Sequence, residues 1–237
     1  MQVTVSYRGE EKEWEKARLL SQIPTFELKN RKEVNWDEPV LQVNRTGYRV
    51  KLARREYRWH PGLLHTRLSA GWSHPLVRAM NLKTGDEVLD CTLGMGTDAA
   101  FLSSMTERTV VGIEIEPAVA LMTHEGLKQA GHDVTVINAD ARQFIETLPD
   151  NCFDVVQGDP MFPKGTGVTH SLDVLREVGH HEPLGMEWLS NARRVARKRV
   201  VVRDIAHGTL LEAMKPDEVL NVGRKRPRYG IWFGTET

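Results

Sequence analysis

From about residue 82 to the end of the chain, short apolar runs rich in Val and Ile alternate with stretches of helical periodicity. Gly, Pro or Asp punctuates most changes of period. A chain patterned this way buries its strands in a mostly parallel sheet with helices on both faces, so the pattern specifies βαβ units and a doubly wound α/β fold. The spacing predicts strands at Glu87–Asp90, Thr109–Glu114, Val134–Ile137, Phe153–Gln157 and Arg199–Arg203, with later β-leaning segments at Glu218–Val222 and Tyr229–Phe233. Helices are expected at Ala99–Met105, Pro117–Ala130, Ala141–Leu148, Leu172–Val178 and Leu184–Ala196. The helix from Pro117 is the best bounded, with proline at its first position and Gly131 where a left-handed residue ends it. Residues 1–60 read differently, as β-leaning pieces (Val3–Tyr7, Val40–Val43, Tyr48–Leu52) around a charged helical stretch near Glu10–Leu20. The expected organisation is a small, β-rich N-terminal subdomain (1–60) ahead of a main α/β domain (61–237).

Composition narrows the function classes. With 237 residues, 40% of them hydrophobic, the chain can bury a sizeable core and is not a disordered tail. No apolar run approaches the ~20 residues of a membrane helix, and the N-terminus lacks the basic-then-apolar pattern of a signal peptide, so a cytoplasmic protein with no membrane partner is expected. Two cysteines, Cys91 and Cys152, exclude a disulfide framework, and both read as small hydrophobes. His180 and His181 stand without partners at metal-ligand spacing and read as a polar loop, so no metal is expected.

The 32 basic and 32 acidic residues cancel, but they are segregated along the chain. Residues 81–160 carry fourteen acidic side chains against four basic ones. Basic residues cluster at 45–67, at 193–203 and at 224–228, and these are the candidate polyanion-binding surfaces. Arg193, Arg194 and Arg197 are expected to form a stripe on one helix. Trp188 reads as core packing, and Trp59 and Trp72 read as core or junction packing, with stacking on bases as the alternative.

The chemistry concentrates at the ends of the predicted strands. Asp90-Cys-Thr-Leu-Gly94-Met-Gly96-Thr97-Asp98 leaves the first strand of the main domain and opens a helix, a turn in which glycines let the backbone approach a ligand at the helix N-terminus. Glu114 ends the next strand twenty residues after Gly94, placed to accept hydrogen bonds from ribose hydroxyls. Asp140 follows the third strand. Taken alone, Gly94-x-Gly96-x-x-Ala99 with Glu114 also satisfies a dinucleotide fingerprint, so a nicotinamide cofactor competes with S-adenosylmethionine. The fourth strand separates them. It ends in Asp159-Pro160-Met161-Phe162-Pro163, which resembles the D/N-P-P-Y/F motif of S-adenosylmethionine-dependent amino-methyltransferases.

With Glu114-x-x-Pro117, Lys198-Arg-Val-Val-Val-Arg203 and a His65-x-Arg67 pair ahead of the glycine loop, residues 60–235 resemble the RsmJ-type 16S rRNA guanine-N2 methyltransferases, a class I family. The resemblance implies a seven-stranded Rossmann-like domain and S-adenosylmethionine as cofactor. It implies a cofactor site at Asp90, Gly94, Gly96, Thr97, Asp98, Glu114, Ile115, Asp140, Ala141 and Asp159. It further implies that Asp159, Pro160 and Phe162 receive the target base, with the carboxylate accepting from the exocyclic amine and the aromatic ring stacking. His65, Arg67 and Lys164 are the expected substrate contacts, and RNA, as 16S rRNA or a small-subunit assembly intermediate, is the expected partner. That family commonly has Arg where Thr97 stands, and residues 1–60 carry no resemblance to its N-terminal part. The other readings are an amino-methyltransferase acting on DNA, another RNA or a small molecule, and a non-catalytic RNA-binding or assembly factor that retains the fold.

Overall fold

The computed structural model describes residues 3–9, 11–20, 22–52, 55–160 and 184–234. The first part of the chain runs β1 (Val3–Tyr7), α1 (Glu11–Leu20), β2 (Phe26–Leu28), β3 (Val40–Asn44), β4 (Gly47–Leu52) and β5 (Arg55–Arg58). These strands form a mixed sheet in the order β2-β1-β3-β4-β5, with β1 parallel to both its neighbours. Two short helices follow, α2 (Leu64–Ala70) and α3 (Pro75–Met80), separated by a 3₁₀ turn at Gly71–Ser73. The second starts cleanly because Pro75 occupies its first turn and His74 Nδ1 accepts the Leu76 N–H at 3.3 Å. Neither helix, nor β2 or β5, stands out in the sequence, since each has seven residues or fewer and little periodicity.

The main sheet then alternates as the pattern demands: β6 (Val88–Asp90), α4 (Thr97–Thr106), β7 (Val110–Glu114), α5 (Pro117–Gln129), β8 (Val134–Asn138), α6 (Ala141–Glu146), β9 (Phe153–Gly158), α7 (Met186–Val195), β10 (Ala196–Asp204), α8 (Leu210–Met214), β11 (Glu218–Asn221) and β12 (Arg228–Phe233). Its order is β11-β12-β10-β9-β6-β7-β8, parallel apart from β12, which runs antiparallel to both β10 and β11. The chain winds from β6 outward through β7 to β8, then returns to place β9 on the other side of β6. That reversal opens a crevice at the carboxyl ends of β6 and β9, where doubly wound sheets take their ligands. One apolar layer, including Phe101, Leu102, Val88 and Val155, lies under α4; the other, including Trp188, Leu189, Val200 and Trp232, lies under α7. No helix among the described residues is long and apolar enough to cross a membrane.

Two expectations are corrected here. The helix α7 stops at Val195 and β10 starts on the next residue, so Arg197 lies on a strand and the three-arginine stripe does not exist. The basic cluster at 193–203 is instead largely engaged inside the fold. Arg194 reaches the carbonyls of Leu148 and Ile145 and the Asp150 carboxylate, Arg197 holds Glu87 and Asp154, Lys198 holds Asp86 and Asp154, and Arg199 donates to the Ala79 carbonyl. Burial works to raise the Asp154 carboxyl, but the bonds from Arg197 and Lys198 outweigh it and hold that group well below the carboxylate range. Trp72 is the second correction: Trp188 is buried and Trp59 is packed as expected, whereas Trp72 is 49% exposed on the 3₁₀ turn, too short an element to cover an indole.

The N-terminal sheet shares a core with the main one. Val3, Val5, Leu41, Val43 and Val50 pack with Met95, Ala118, Val119 and Met122 of the glycine loop and α5. Trp59 closes the seam: its Nε1–H donates to the Met95 carbonyl at 3.0 Å, and its ring root occupies the space where a Cβ on Gly126 would stand. Alanine at an interior helix position ordinarily gains about 1 kcal/mol over glycine. At Gly126 overpacking against Trp59 should outweigh that gain and leave Gly126→Ala about 1–2 kcal/mol less stable. A thermal melt should show a fall of roughly 2–8 °C; an unchanged or higher midpoint would refute this packing.

Candidate active site

Four consecutive strands of the sheet deliver polar groups to one edge. Asp90 ends β6, Glu114 ends β7, Asp140 caps α6 just after β8, and Asp159 follows β9. Asp90 is 1% exposed and its Oδ1 accepts the Thr92 N–H at 3.0 Å. Burial pushes its carboxyl up to about 7, against the pull of the Thr92 N–H, and the nearby charge of Asp98 adds to the rise. Glu114 receives two backbone N–H groups, Gly94 at 2.9 Å and Glu116 at 2.9 Å. Burial still pushes it up to about 7.

The glycine loop is shaped by its packing. Gly94 and Gly96 take left-handed backbone angles (φ +51° and +67°), the Gly94 carbonyl accepts the Thr123 hydroxyl at 2.8 Å, and a Cβ on Gly96 would meet Leu127 and Thr123 of α5. No side chain caps α4, so its first N–H groups are free to face a ligand. Thr97 and Asp98 form the first turn of that helix, with the Thr97 hydroxyl directed at the Pro61 carbonyl at 3.5 Å. Ile115 is half-buried, and its carbonyl accepts from Asn138 Nδ2. Asp140 accepts the Arg142 N–H and pairs with its guanidinium at 2.7 Å, while Ala141 is buried behind it.

On the other side of the crevice, charges alternate. Arg67 Nη1 lies 3.0 Å from Asp98, whose second oxygen is 3.9 Å from Arg203, and Arg203 Nη2 lies 2.7 Å from Asp159. The Asp159 backbone N–H donates to Thr92 Oγ1 at 2.6 Å, so the carboxylate is fixed from both ends. Burial pushes Asp159 up to about 6, with Arg203 opposing the rise and Asp98 adding to it. Pro160 follows immediately and restricts Asp159 to an extended backbone. His74 and Tyr229 border the cluster: burial, then Arg67, lowers the His74 pKa, and burial raises the Tyr229 hydroxyl to about 12.

The sequence expectations thus converge unevenly. Asp90, Gly94, Gly96, Glu114, Asp98, Asp159 and Arg67 come together at the crevice. His65 does not join them: two residues from Arg67 on α2, it faces away and is exposed, as a 200° helical offset requires. Phe162 and Lys164 lie outside the described residues, as does the expected helix at 172–178. Among the described residues no group of three or more His, Cys, Asp or Glu side chains has the placement of a metal site.

Residues 34–233 match the SAM_MT family model, described as "Putative SAM-dependent methyltransferase". The chain belongs to the SAM-dependent methyltransferase family. The ribosomal RNA small subunit methyltransferase J of Nitrosococcus oceani is 32% identical over 182 residues, covering 70% of each chain. YpiP of Bacillus subtilis is 37% identical over 150 residues, a match that spans 58% of each protein. A SAM-dependent methyltransferase from Neisseria gonorrhoeae superposes with a TM-score of 0.72 at 21% identity, over 99% of this chain and 97% of its own. That superposition fixes the fold as the class I type, and the family match begins inside the N-terminal sheet, ahead of residue 60.

S-adenosylmethionine is the cofactor of this SAM-dependent methyltransferase, and the residues suit it. A dry edge holding Asp90 and Glu114 with carboxyls raised to about 7 favours a ligand that brings positive charge or hydroxyl donors, and the sulfonium, ammonium and ribose of the cofactor supply both. Two residues bearing on the site were not assigned a role from sequence. Thr92 holds the Asp159 backbone and Arg203 its carboxylate. The signals were present, a hydroxyl two positions after Asp90 and a cation ending a strand, but neither carries a motif of its own.

Protonation of Asp90 and Glu114 competes with a cationic ligand. Both folded-state pKa values are raised, so both groups gain protons as pH falls through 7, and binding drives those protons off. Affinity for the cofactor should rise on the order of 10–100-fold between pH 6 and pH 8, tenfold for each carboxylate that must ionise, with proton release seen by calorimetry in buffers of different ionisation heat. A flat pH dependence would contradict the assignment of these carboxylates to the ligand.

Proposed function

We propose that this SAM-dependent methyltransferase modifies the exocyclic N2 amine of guanine in 16S rRNA, free or in a small-subunit assembly intermediate, in the cytoplasm. The observation that carries the reading is the placement of Asp159: a carboxylate at the carboxyl end of β9, locked by Thr92 and Arg203 across the crevice from the glycine loop. The relationship to ribosomal RNA small subunit methyltransferase J supports the substrate class.

When bound, S-adenosylmethionine supplies an activated methyl group, so that a C–N bond forms as the C–S bond breaks. Asp90, Gly94, Gly96, Thr97, Asp98, Glu114, Ile115, Asp140, Ala141 and Asp159 form the cofactor side. Asp159 accepts from the target amine, which otherwise delocalises its lone pair into the ring, and so favours a more tetrahedral, nucleophilic nitrogen. Pro160 fixes the turn, and Phe162 stacks on the base. Arg67 and Lys164 contact the RNA at the crevice, and His65, exposed on the outer face of α2, contacts it outside the crevice. Arg203 keeps Asp159 ionised and correctly rotated, and the surplus proton leaves after transfer. Positioning supplies most of the rate. Residues 1–60 are assigned to a supporting subdomain and 61–237 to the catalytic domain.

Incubating the protein with labelled cofactor and RNA from a strain lacking the gene should place the label in N2-methylguanosine of 16S rRNA. Label in another nucleoside, or none in RNA, overturns the reading. Asp159→Ala should stay folded yet lose turnover; activity within tenfold of wild type, only ~1.4 kcal/mol of barrier, would exclude its role. Arg203→Met removes the charge that opposes the rise of Asp159, so the acid limb of the pH–rate profile should move up by roughly one pH unit or more. An unmoved limb would reduce Arg203 to a structural contact.

A further inference from the structure

The three basic clusters differ once their partners are known. At 193–203 the cations are largely bound within the fold. In the 45–67 cluster, Arg49 and Lys51 share Glu56, and Arg67 holds Asp98. At the third cluster Arg228 pairs with Asp204 and Glu212, which roots the start of β12. Its neighbours Arg224, Lys225 and Arg226 are all exposed, and no hydrogen bond or ion pair engages their side chains among the described residues. They form the tip of the β11–β12 hairpin, closed by the Arg226 N–H donating to the Gly223 carbonyl at 3.0 Å.

Strand register fixes where that tip points. β10 runs parallel to β9 with Val202 opposite Gly158; β12 runs back along β10 with Arg228 opposite Asp204; β11 runs along β12 with Asn221 opposite Arg228. The connection at 222–227 therefore leaves the sheet at the same edge as Asp159. Two to three strand spacings separate them, about 10–15 Å. The edge thus has a carboxylate-lined crevice with a tripositive projection beside it. A crevice of that kind repels a phosphate backbone, and a guanine can enter it only if charge nearby holds the flanking strand.

We infer that the β11–β12 hairpin tip, Arg224-Lys225-Arg226, is a docking surface for the phosphate backbone of the RNA whose base enters the crevice. This rests on the RNA reading above. The tip contacts phosphates rather than base edges, so it adds affinity without choosing the sequence.

The test compares two triple variants of the full chain. Arg224→Gln/Lys225→Gln/Arg226→Gln neutralises the tip. Lys83→Gln/Lys128→Gln/Lys215→Gln removes the same charge from exposed positions at the opposite, amino-terminal edge of the sheet. Binding to a 16S rRNA transcript is titrated across salt concentrations. Neutralising the tip should weaken binding on the order of 10–100-fold near 0.1 M salt and flatten the log–log salt slope by about 2, as loss of three phosphate contacts to a single strand requires. The opposite-edge variant should keep the wild-type slope, and both should keep the affinity for S-adenosylhomocysteine, which reports folding.

If the tip variant loses that affinity, acetylation footprinting of the wild type decides instead: RNA should protect Lys225 and leave Lys83 and Lys215 reactive. An unchanged slope in a folded tip variant, equal losses in both variants, or an unprotected Lys225 overturns the hairpin while leaving the RNA reading intact. A wild type that binds anionic lipid vesicles but no RNA overturns both.

Discussion

Carboxylates at the dry carboxyl edge of a parallel sheet are costly, and this site is organised around compensating them. Asp90, Glu114 and Asp159 each sit where burial, as the largest cause, pushes the carboxyl up, to about 7, 7 and 6. Each is met by a different device. Asp90 and Glu114 draw on backbone N–H groups of the turn that follows β6 and of the residue after Ile115, so their compensation is inseparable from the shape of the glycine loop. Asp159 draws on a guanidinium, which also offsets the neighbouring charge of Asp98. Compensation remains partial in all three cases. An edge left short of positive charge is one that a cationic cofactor completes.

The segregation of charge along the chain follows from the same topology. Because β9 lies between β6 and β10, the start of β10 runs beside the starts of β6 and β9, and the basic run there meets the acidic residues Asp86, Glu87 and Asp154. A cluster that resembles a polyanion-binding stripe in one dimension is an internal clasp at the amino edge in three. Exposed pairs contribute little individually, but Asp154 is shared by Arg197 and Lys198, and it also accepts the Glu87 N–H, so the clasp fixes the relation of three strands.

The sequence made the main sheet legible because period, length and punctuation agreed there: strands of three to nine residues, a helix opened by Pro117, and strand ends marked by acidic residues. The crevice was legible for the same reason, since its residues are fixed by their position at strand ends. What escaped was whatever depended on partners distant in sequence. Arg203 is far in the chain from both Asp98 and Asp159, and the adjacency of β10 to β9 brings it to their carboxylates. Helical periodicity continues past Val195 and so predicts a helical Arg197, while the pairing of Ala196 with Phe153 turns the backbone into a strand one residue earlier. Trp72 was expected inside because indoles usually are, yet a single turn of 3₁₀ helix offers no second layer to cover it.

The change of sheet near residue 60 is not a change of core. Val5, Leu41 and Val50 bury the same face of α5 on which the glycine loop is built, and Met95 belongs both to that loop and to that core. Trp59 binds the Met95 carbonyl, and Gly96, one residue on, cannot accept a Cβ because Thr123 and Leu127 of α5 are already against it. The conformation that presents Gly94 and the N-terminus of α4 to a ligand is therefore enforced from behind by the N-terminal sheet acting through α5. A second tie runs through Arg67, whose helix follows directly from that sheet and whose charge fixes Asp98. Both halves of the crevice, the glycine turn and the alternating arginines, are held in register by elements that precede the α/β domain in the chain, so the geometry of the site is a property of the two sheets together.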